Sequence, residues 1–389
     1  MNINIVRLNA NNTTNDFVER LNTKLKNNNI ILKENVRVSP LTLFFVESGG
    51  TEAIFTEKMK NYPSPYYFVV LNENNAIASM MEISSYLSNK GLEFETFINE
   101  DEVIHNITNL VCAYNAKYKL IGKRLGVIGN PSSWLIASHV NYRLVKQRIG
   151  LELIDIDLNE LYKFIEKPYR IEYPTIHSEL SKKNPFDTRL LFESILVYNG
   201  LKRLVNKYNL SGLTIRCFDL VKKYKVSACL ALSLLNDEGI ISGCEGDIPS
   251  LITMMIVKCL TGKLSFMANL SAVDYNSDIF TFAHCTIPTK MCSSFGLDHH
   301  YESNESLAIK GNMYHCPITV VKLAPSLASL RVVSGEIIDN ASSPCFCKTQ
   351  IKVKLAYDID SFITAHYGNH SVIVYGRYEK LFNTFFKII

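Results

Sequence analysis

The chain has 389 residues, of which 47% are hydrophobic and 20% charged, and its formal net charge is +4. This length is enough for two or three domains with substantial cores. Because the net charge is small and no dense Lys/Arg block occurs, nucleic acid is a poor candidate for a partner. No apolar run reaches the length of a membrane span, and residues 1–8 are typical of a first strand rather than a signal peptide. We therefore expect a cytoplasmic protein without a membrane partner.

The first part of the chain alternates strand and helix patterns. INIVRL precedes a helix near 14–27, LTLFFV precedes a helix from about 51, and YYFVVL precedes a helix near 75–90. Repeated strand-helix units predict a mostly parallel, doubly wound α/β sheet. A long helix near 102–117 then leads to a predicted domain boundary at about residue 120.

The second part continues the strand-helix pattern around the only tryptophan of the chain. RLGVIG is a predicted strand, and the segment from Pro131 to Trp134 is predicted to begin the next helix. A helical hairpin is expected over 157–208. The segment GLTIRCFDL follows it and supplies a strand that ends at Arg216. An aromatic face beside small polar residues is a common platform for sugar rings, although Trp134 could equally anchor a core.

The stretch around Glu245 combines a strand, an acidic turn and a helix. The predicted strand runs from Gly239 to Cys244, and the helix has Pro249 in its first turn and Gly262 just past its end. Glu245 follows the carboxyl end of the strand, where open α/β sheets bind their ligands. It is therefore a candidate for chemistry, whereas Asp247 is expected to cap the helix.

Beyond Gly262, short alternating runs such as IFTFAH, PITVVKL and SVIVYG replace the strand-helix pattern. Closely spaced strands of this kind predict an antiparallel barrel or sandwich. We predict three domains: two α/β domains over residues 1–119 and 120–263, and a β-rich domain over residues 264–389.

Several polar residues flanked by strand-like runs could join Glu245 in a site: Asn269, Asp274, His284 and His370. Carboxylate and imidazole ligands suit Mn²⁺, Mg²⁺ or a related divalent ion, which could polarise the oxygens of a substrate. A single histidine is also often a hydrogen-bonded structural residue. No nucleophile elbow, Walker A loop or dinucleotide-binding glycine motif occurs.

Sequence segments spread over residues 42 to 376 resemble the short members of the L-fucose/L-arabinose isomerase family. They are SGGTE, GVIGNPSSWLIAS, IRCFDL, CEGD, FMANLSAVD, AHCTIP, HHYESNESLAIKG, CKTQ and GNHSVIVYG. The resemblance implies two Rossmann-like N-terminal domains and a barrel-like, β-rich C-terminal domain. It also implies a homo-oligomer, often a trimer or hexamer, and a carbohydrate substrate.

The resemblance also implies roles for individual residues. Glu245 resembles the first carboxylate ligand of the family's Mn²⁺ site, His370 the histidine ligand from the C-terminal domain, and His284 an additional histidine ligand. The position of the second carboxylate holds Asn269, and Asp274 lies five residues further on. We expect Glu245, His284 and His370 to converge, with Asp274 as the second carboxylate ligand and catalytic partner.

Family members move a proton between C1 and C2 of an aldose through a metal-bound enediol, and two carboxylates share the acid and base roles. An amide such as that of Asn269 cannot take a proton. Either Asp274, Glu302 or Asp247 supplies the missing base, or the chemistry differs from that of the family.

The sequence therefore predicts a divalent-metal-dependent aldose-ketose isomerase that acts on a small sugar or sugar derivative. Four residues are expected to help bind the substrate: Trp134, Arg216, Asn269 and Glu302. One alternative is a lyase or epimerase on the same scaffold, because a stabilised enediolate serves several reactions. Another is a sugar-binding or regulatory protein without catalysis, which Asn269 favours.

Overall fold

The structure, a computed structural model, describes residues 1–10, 16–36 and 39–389. It is a mixed α/β protein with two parallel sheets and a separate antiparallel β-rich region. The chain divides into two compact units, residues 1–115 with 384–388 and residues 116–383 with 389. None of the helices in the described part of the chain has both the length and the apolar character that a membrane span requires.

The first unit contains a five-stranded parallel sheet with the strand order β2-β1-β3-β4-β5. Strands β3 and β4 are apolar at almost every position, as expected for parallel strands that are covered on both faces. The predicted helix near 14–27 corresponds to α1, and its predicted start lies outside the described residues. The elements are β1 (Asn2–Leu8), α1 (Phe17–Leu25), β2 (Ile31–Glu34), β3 (Thr42–Val46), α2 (Glu52–Lys58), β4 (Tyr66–Val70), α3 (Ala76–Asn89), β5 (Phe94–Phe97) and α4 (Glu100–Leu120).

The second unit begins with a four-stranded parallel sheet in the order β7-β6-β8-β9. Helices connect its strands, and the last of them, α11, is buried along most of its length. The elements are β6 (Arg124–Ile128), α5 (Tyr142–Arg148), β7 (Glu152–Ile156), α6 (Leu158–Glu166), α7 (His177–Lys183), α8 (Thr188–Tyr208), β8 (Gly212–Ile215), α9 (Phe218–Tyr224), α10 (Cys229–Asp237), β9 (Ile241–Gly243) and α11 (Ile248–Thr261).

The antiparallel region of the second unit is a closed barrel in the order β10-β11-β16-β15-β14-β17, with a separate two-stranded sheet, β12-β13. The short alternating runs of the sequence thus form a β-rich region, as predicted. The elements are β10 (Phe266–Asp274), β11 (Ile279–His284), β12 (Cys292–His299), β13 (Leu307–Met313), β14 (Pro317–Leu323), β15 (Leu330–Ala341), β16 (Thr349–Leu355), α12 (Ile359–Thr364), β17 (His370–Tyr375) and α13 (Glu379–Ile388).

Helix α11 begins and ends as the sequence predicts. The carboxylate of Asp247 accepts a hydrogen bond from the backbone N–H of Ser250 at 2.7 Å, and Gly262 has the left-handed φ of 70° that follows many helices. This cap fixes the start of α11 directly after Glu245.

The prediction that a helix begins between Pro131 and Trp134 is wrong. This segment consists of turns, and the next helix starts at Tyr142, where Asn141 caps it. The backbone N–H of Ser132 donates to the carbonyl of Glu245 at 2.9 Å. The loop after β6 is thus tied to the acidic turn rather than to a helix of its own, and this places Trp134 beside Glu245.

Candidate metal centre

The turn that carries Glu245 has an unusual backbone. Glu245 has φ 61° and Gly246 has φ 75°. A left-handed conformation is uncommon for a residue other than glycine, and such residues cluster at functional sites. A side chain at position 246 would place its Cβ 2.5 Å from the carbonyl oxygen of Asn130, so only glycine fits there. The turn is therefore held tightly against the loop after β6, with the Glu245 carboxylate in a fixed position.

Glu245, His284 and His370 converge as expected. The Oε1 atom of Glu245 lies 3.5 Å from Nε2 of His370 and 3.8 Å from Nε2 of His284. One ligand atom from each residue falls within 4.8 Å of the others, and all three side chains are buried. Ligands about 2.0–2.2 Å from one ion lie at most about 4.4 Å apart, so both distances are compatible with a shared ion.

The two histidines are oriented by hydrogen bonds on the far side of each ring. Nδ1 of His370 lies 2.8 Å from Oδ2 of Asp247, and Nδ1 of His284 lies 3.0 Å from the hydroxyl of Thr286. Partners of this kind fix the ring orientation of metal-binding histidines. Nε2 of His370 is buried without a hydrogen-bond partner among the described residues. A buried polar atom is costly to leave unpaired, so this donor set fits a divalent cation.

A buried lysine holds Asp247 in place. Nζ of Lys322 lies 3.1 Å from Oδ2 of Asp247, and both side chains are almost fully buried. Lys322 also contacts the hydroxyl of Ser250 in the first turn of α11. Burial by itself raises the pKa of Asp247, but Lys322 and His370 more than offset this and hold that pKa below its usual range. Asp247 is therefore an ionised anchor for His370 as well as a helix cap.

The carboxylate of Glu245 and the imidazole of His370 stabilise each other's charged form. Burial raises the pKa of Glu245, but His284 and His370 outweigh it and hold that pKa well below the usual range. Burial lowers the pKa of His370, whereas Asp247 and Glu245 raise it, with a net increase to about 9. The anionic oxygen of Glu245 thus lies beside two imidazole nitrogens, and a divalent cation that bound there would displace the proton of His370, because a ligating imidazole is neutral.

Trp134 directly contacts the cluster formed by Glu245, His284 and His370. Its indole Nε1 donates to Oε2 of Glu245 at 2.7 Å, and its ring packs edge-on against Phe218 with 4.8 Å between centroids. The side chain is 47% exposed, so it orients the carboxylate and also presents apolar surface to solvent. Arg216 donates to the carbonyl of Pro131 at 3.2 Å and pairs with Asp219 at 3.0 Å. Arg216 therefore supports the loop that carries Trp134.

Glu302 lies outside the cluster but is linked to it through ring contacts. Its carboxylate is 3.2 Å from Nε2 of His300, whose ring packs against Phe218 at 5.6 Å. Asn269 lies opposite His370 in the register of β10 and β17 and accepts a hydrogen bond from Asn369 at 3.0 Å. Asn269 is thus a direct strand neighbour of His370, whereas Glu302 is connected to the cluster only through other side chains.

The structure does not bring Asp274 to the cluster. Asp274 is exposed at the turn between β10 and β11, where it accepts hydrogen bonds from the backbone of Asn276 at 2.9 Å and the hydroxyl of Ser277 at 2.5 Å. Strand β10 continues through this position with one bulge, and Asn269 and Asp274 pair with Ala283 and Ile279 of β11, so Asp274 is about 13 Å along the strand from Asn269. Among the residues that the structure describes, Glu245 is the only carboxylate in the metal-binding group.

Sequence reasoning missed two supporting residues, Thr286 and Lys322, and it also missed the contact of Asp247 with His370. The sequence does contain a signal for Lys322, because a single cation near the end of the apolar run PITVVKL requires a buried partner. Thr286 lies two residues after His284 and gave no comparable sign. The contact between Asp247 and His370 joins residues 123 positions apart and is a result of the fold.

Comparisons with known proteins found relatives named as sugar isomerases, and no family model matches the chain. Sulfoquinovose isomerase of Priestia aryabhattai is 24% identical over 270 residues, which are 65% of this chain and 60% of that protein. Sulfoquinovose isomerase of Clostridium sp. (strain MSTE9) is 22% identical over 303 residues, which are 71% of this chain and 65% of that protein. The chain thus spans less than two thirds of the length of these relatives. The similarity is consistent with the resemblance to fucose isomerase-like proteins.

Proposed function

We propose that this chain is a divalent-metal-dependent aldose-ketose isomerase that acts on a sugar or sugar derivative. The observation that carries the proposal is the buried convergence of Glu245, His284 and His370, in which Nε2 of His370 has no hydrogen-bond partner among the described residues. The names of the relatives support sulfoquinovose, a sulfonated aldose, as the first substrate to test. The resemblance in sequence further supports a homo-oligomer.

In this proposal the residues in and around the cluster have different roles. A bound divalent cation such as Mn²⁺ would supply Lewis acidity to the hydroxyl and carbonyl oxygens of the sugar. Glu245 is assigned the proton transfer between C1 and C2 because it is the only carboxylate of the described group. Trp134 fixes Oε2 of Glu245 through its indole N–H. Asp247 is occupied by Lys322 and His370, and its role is to hold His370.

The remaining polar residues near the cluster are assigned to substrate binding. Trp134 offers a half-exposed ring on which a sugar can stack, and Asn269 offers an amide beside His370 in the strand register. Arg216 binds the loop that carries Trp134, and Glu302 pairs with His300, whose ring packs against Phe218. These assignments replace the earlier expectation of a second catalytic carboxylate at Asp274.

A second candidate function is sugar binding without catalysis. The observation that favours it is the amide of Asn269 at the position where the resemblance implies a carboxylate. An amide can hydrogen-bond a hydroxyl but cannot take a proton. A protein with one carboxylate in its cluster could then hold a metal and a sugar without exchanging a proton.

One experiment separates the two functions. The exchange of the C2 proton with deuterated solvent is followed by NMR in the presence of Mn²⁺, with sulfoquinovose and with unsulfonated aldoses. The isomerase proposal predicts exchange by the wild-type protein and none above background by Glu245→Gln. If the sugars bind but no C2 proton exchanges, sugar binding without catalysis is the correct function. Equal exchange by wild type and Glu245→Gln would remove Glu245 from the mechanism.

A further inference from the structure

Arg331 is a buried cation in the barrel, away from the described carboxylates. It lies on β15 opposite Lys322 of β14 and is 6% exposed. Its Nη1 donates to the carbonyl of Phe362 and its Nη2 to the hydroxyl of Ser371, both at 3.0 Å. The guanidinium also lies over the ring of Phe362, 3.7 Å from the centroid. These contacts hold the group rigidly without neutralising its charge.

The charge of Arg331 lacks a counterion among the described residues. No carboxylate of the described ranges forms an ion pair with it, and its Nε has no hydrogen-bond partner there. Burial lowers the pKa of Arg331 to about 10, so the group remains a cation at neutral pH. Its register partner Lys322 is a second buried cation, and that one is paired with Asp247. Because buried charges are normally paired, Arg331 is the exception that needs a partner.

Arg331 forms part of the wall of an open cleft of about 340 Å³. None of the lining residues that the structure describes is acidic, and two of them, Ser271 and Asn369, offer neutral hydrogen-bonding groups. Glycine at position 368 leaves open space at the rim, since a Cβ there would meet no atom within 4 Å. The lining residues are Leu270, Ser271, Ala272, Val273, Arg331, Phe362, Ile363, Gly368 and Asn369.

We propose that this cleft binds a tetrahedral oxyanion group of the sulfate, phosphate or sulfonate type, with Arg331 as its charged donor. The N–H groups of a guanidinium suit the oxygens of such an anion, and a buried cation attracts it more strongly than an exposed one. The inference is independent of the proposed isomerase function because it requires neither the metal nor catalysis.

The same chemistry has two possible sources, a free inorganic oxyanion or the sulfonate of a sugar. Asn369 lines the cleft, His370 belongs to the candidate metal centre, and Ser371 binds Arg331. These three residues are consecutive at the start of β17, so residues 369 and 371 lie about 7 Å apart along the strand. The cleft and the candidate metal centre thus share this stretch of chain, although successive side chains of a strand point to opposite faces, and competition with a sulfonated sugar tests whether one ligand reaches both.

The test is a calorimetric titration with sodium sulfate at constant ionic strength. The variant is Ser271→Asp, which adds a negative charge to the cleft wall and leaves Arg331 in place. Its control is Ser271→Asn, which has nearly the same size and no charge. We expect the wild type and Ser271→Asn to bind sulfate with similar affinity and Ser271→Asp to bind at least about tenfold more weakly. Arg331→Lys, which keeps the charge but loses the planar donor group, should also weaken binding.

A competition experiment identifies the source of the anion. If sulfate competes with sulfoquinovose, and Ser271→Asp weakens the binding of sulfoquinovose but not of glucose, the sugar supplies the anion. If sulfate binds without competing, the site takes a free oxyanion. The inference is wrong if both Ser271 variants match the wild type with sulfate and with sulfoquinovose. Because every readout is binding, failure of the isomerase proposal would leave this result interpretable.

Discussion

The metal cluster and the Arg331 cleft are two buried charged sites in the same unit, and they differ in what surrounds the charge. In the cluster, Glu245 faces two imidazoles, and each imidazole has a hydrogen-bond partner of its own. In the cleft, Arg331 faces a carbonyl, a hydroxyl and an aromatic ring. The cluster thus has ligands for a cation, whereas the cleft has donors for an anion.

The comparison shows that the buried atom without a hydrogen-bond partner indicates which type of ligand each site suits. Nε2 of His370 is the atom left over in the cluster, and Nε of Arg331 is the atom left over in the cleft, among the residues described. A ring nitrogen beside a carboxylate suits a metal ion, and a guanidinium N–H without a carboxylate suits an oxyanion. The predictions that follow test the two halves of this comparison.

The largest effect is expected from Glu245→Gln. This change removes the only carboxylate of the described cluster, and losing a positioned general base typically lowers a rate by a factor of about 10²–10⁴. The measurement is the C2 exchange rate at saturating Mn²⁺. The control is Asp274→Asn, which also replaces a carboxylate by an amide, at the exposed turn between β10 and β11, and should leave the rate unchanged. A loss of rate in the control would show that Asp274 does take part.

Lys322→Met should destabilise the protein more than Arg331→Met does. Removing Lys322 leaves the buried carboxylate of Asp247 without its cation, and breaking such a pair costs about 3–5 kcal/mol of the free energy of unfolding. Removing Arg331 leaves no described carboxylate unpaired, so we expect a cost of about 1–3 kcal/mol from its lost hydrogen bonds and packing. The measurement is urea unfolding of both variants, with the exposed Lys354→Met as a control.

An equal or reversed order would contradict this account of the two charges. In that case Arg331 would have a counterion of its own, and the reason for expecting an anion in the cleft would be lost.

A smaller effect is expected from Asp247→Asn. Asparagine caps helices about as well as aspartate, so the start of α11 should persist while the charged contacts with His370 and Lys322 are lost. Loss of such a supporting contact typically lowers metal affinity about 10–100-fold. The measurement is Mn²⁺ affinity by calorimetry. Asp358→Asn, a change at the cap of α12, is the control and should bind Mn²⁺ like the wild type.

The smallest effect is expected from Asn269→Asp. The side chain of Asn269 is partly exposed, and its oxygen already accepts a hydrogen bond from Asn369, which a carboxylate would also accept. The exchange rate should remain or rise by a few-fold, because a carboxylate at this position matches the arrangement that the resemblance implies. Asn269→Ser, which supplies no carboxylate, is the comparison. A large loss of rate in the aspartate variant would indicate that the amide itself binds the substrate.

Local features of the fold could be predicted from the sequence. The strand, the acidic turn and the capped helix around Glu245 depend on neighbouring residues, and the structure has them. The change to a β-rich region after Gly262 follows from strand alternation and is also present. The convergence of Glu245 with His284 and His370 was expected from the family resemblance, since their separation in the chain carries no local signal.

Other contacts between distant segments, for which the resemblance gives no guide, could not be predicted. The short separation of Asp274 from Asn269 in sequence favours a shared site, but the strand keeps extending and the turn binds the Asp274 carboxylate. The sequence from Pro131 to Trp134 predicts the start of a helix, but this loop is bonded to the Glu245 turn instead. The absence of a described counterion for Arg331 depends on which side chains β10, α12 and the segment before β17 bring around it, and no sequence motif indicates this.

The most direct test of the central claim is the position of a bound metal. A crystal grown with Mn²⁺ and measured at a wavelength where manganese scatters anomalously locates the ion without reference to activity. The account predicts an anomalous peak about 2.0–2.3 Å from Oε1 of Glu245 and from Nε2 of both His284 and His370. A peak at other side chains, or no peak beside these three at saturating Mn²⁺, would contradict it.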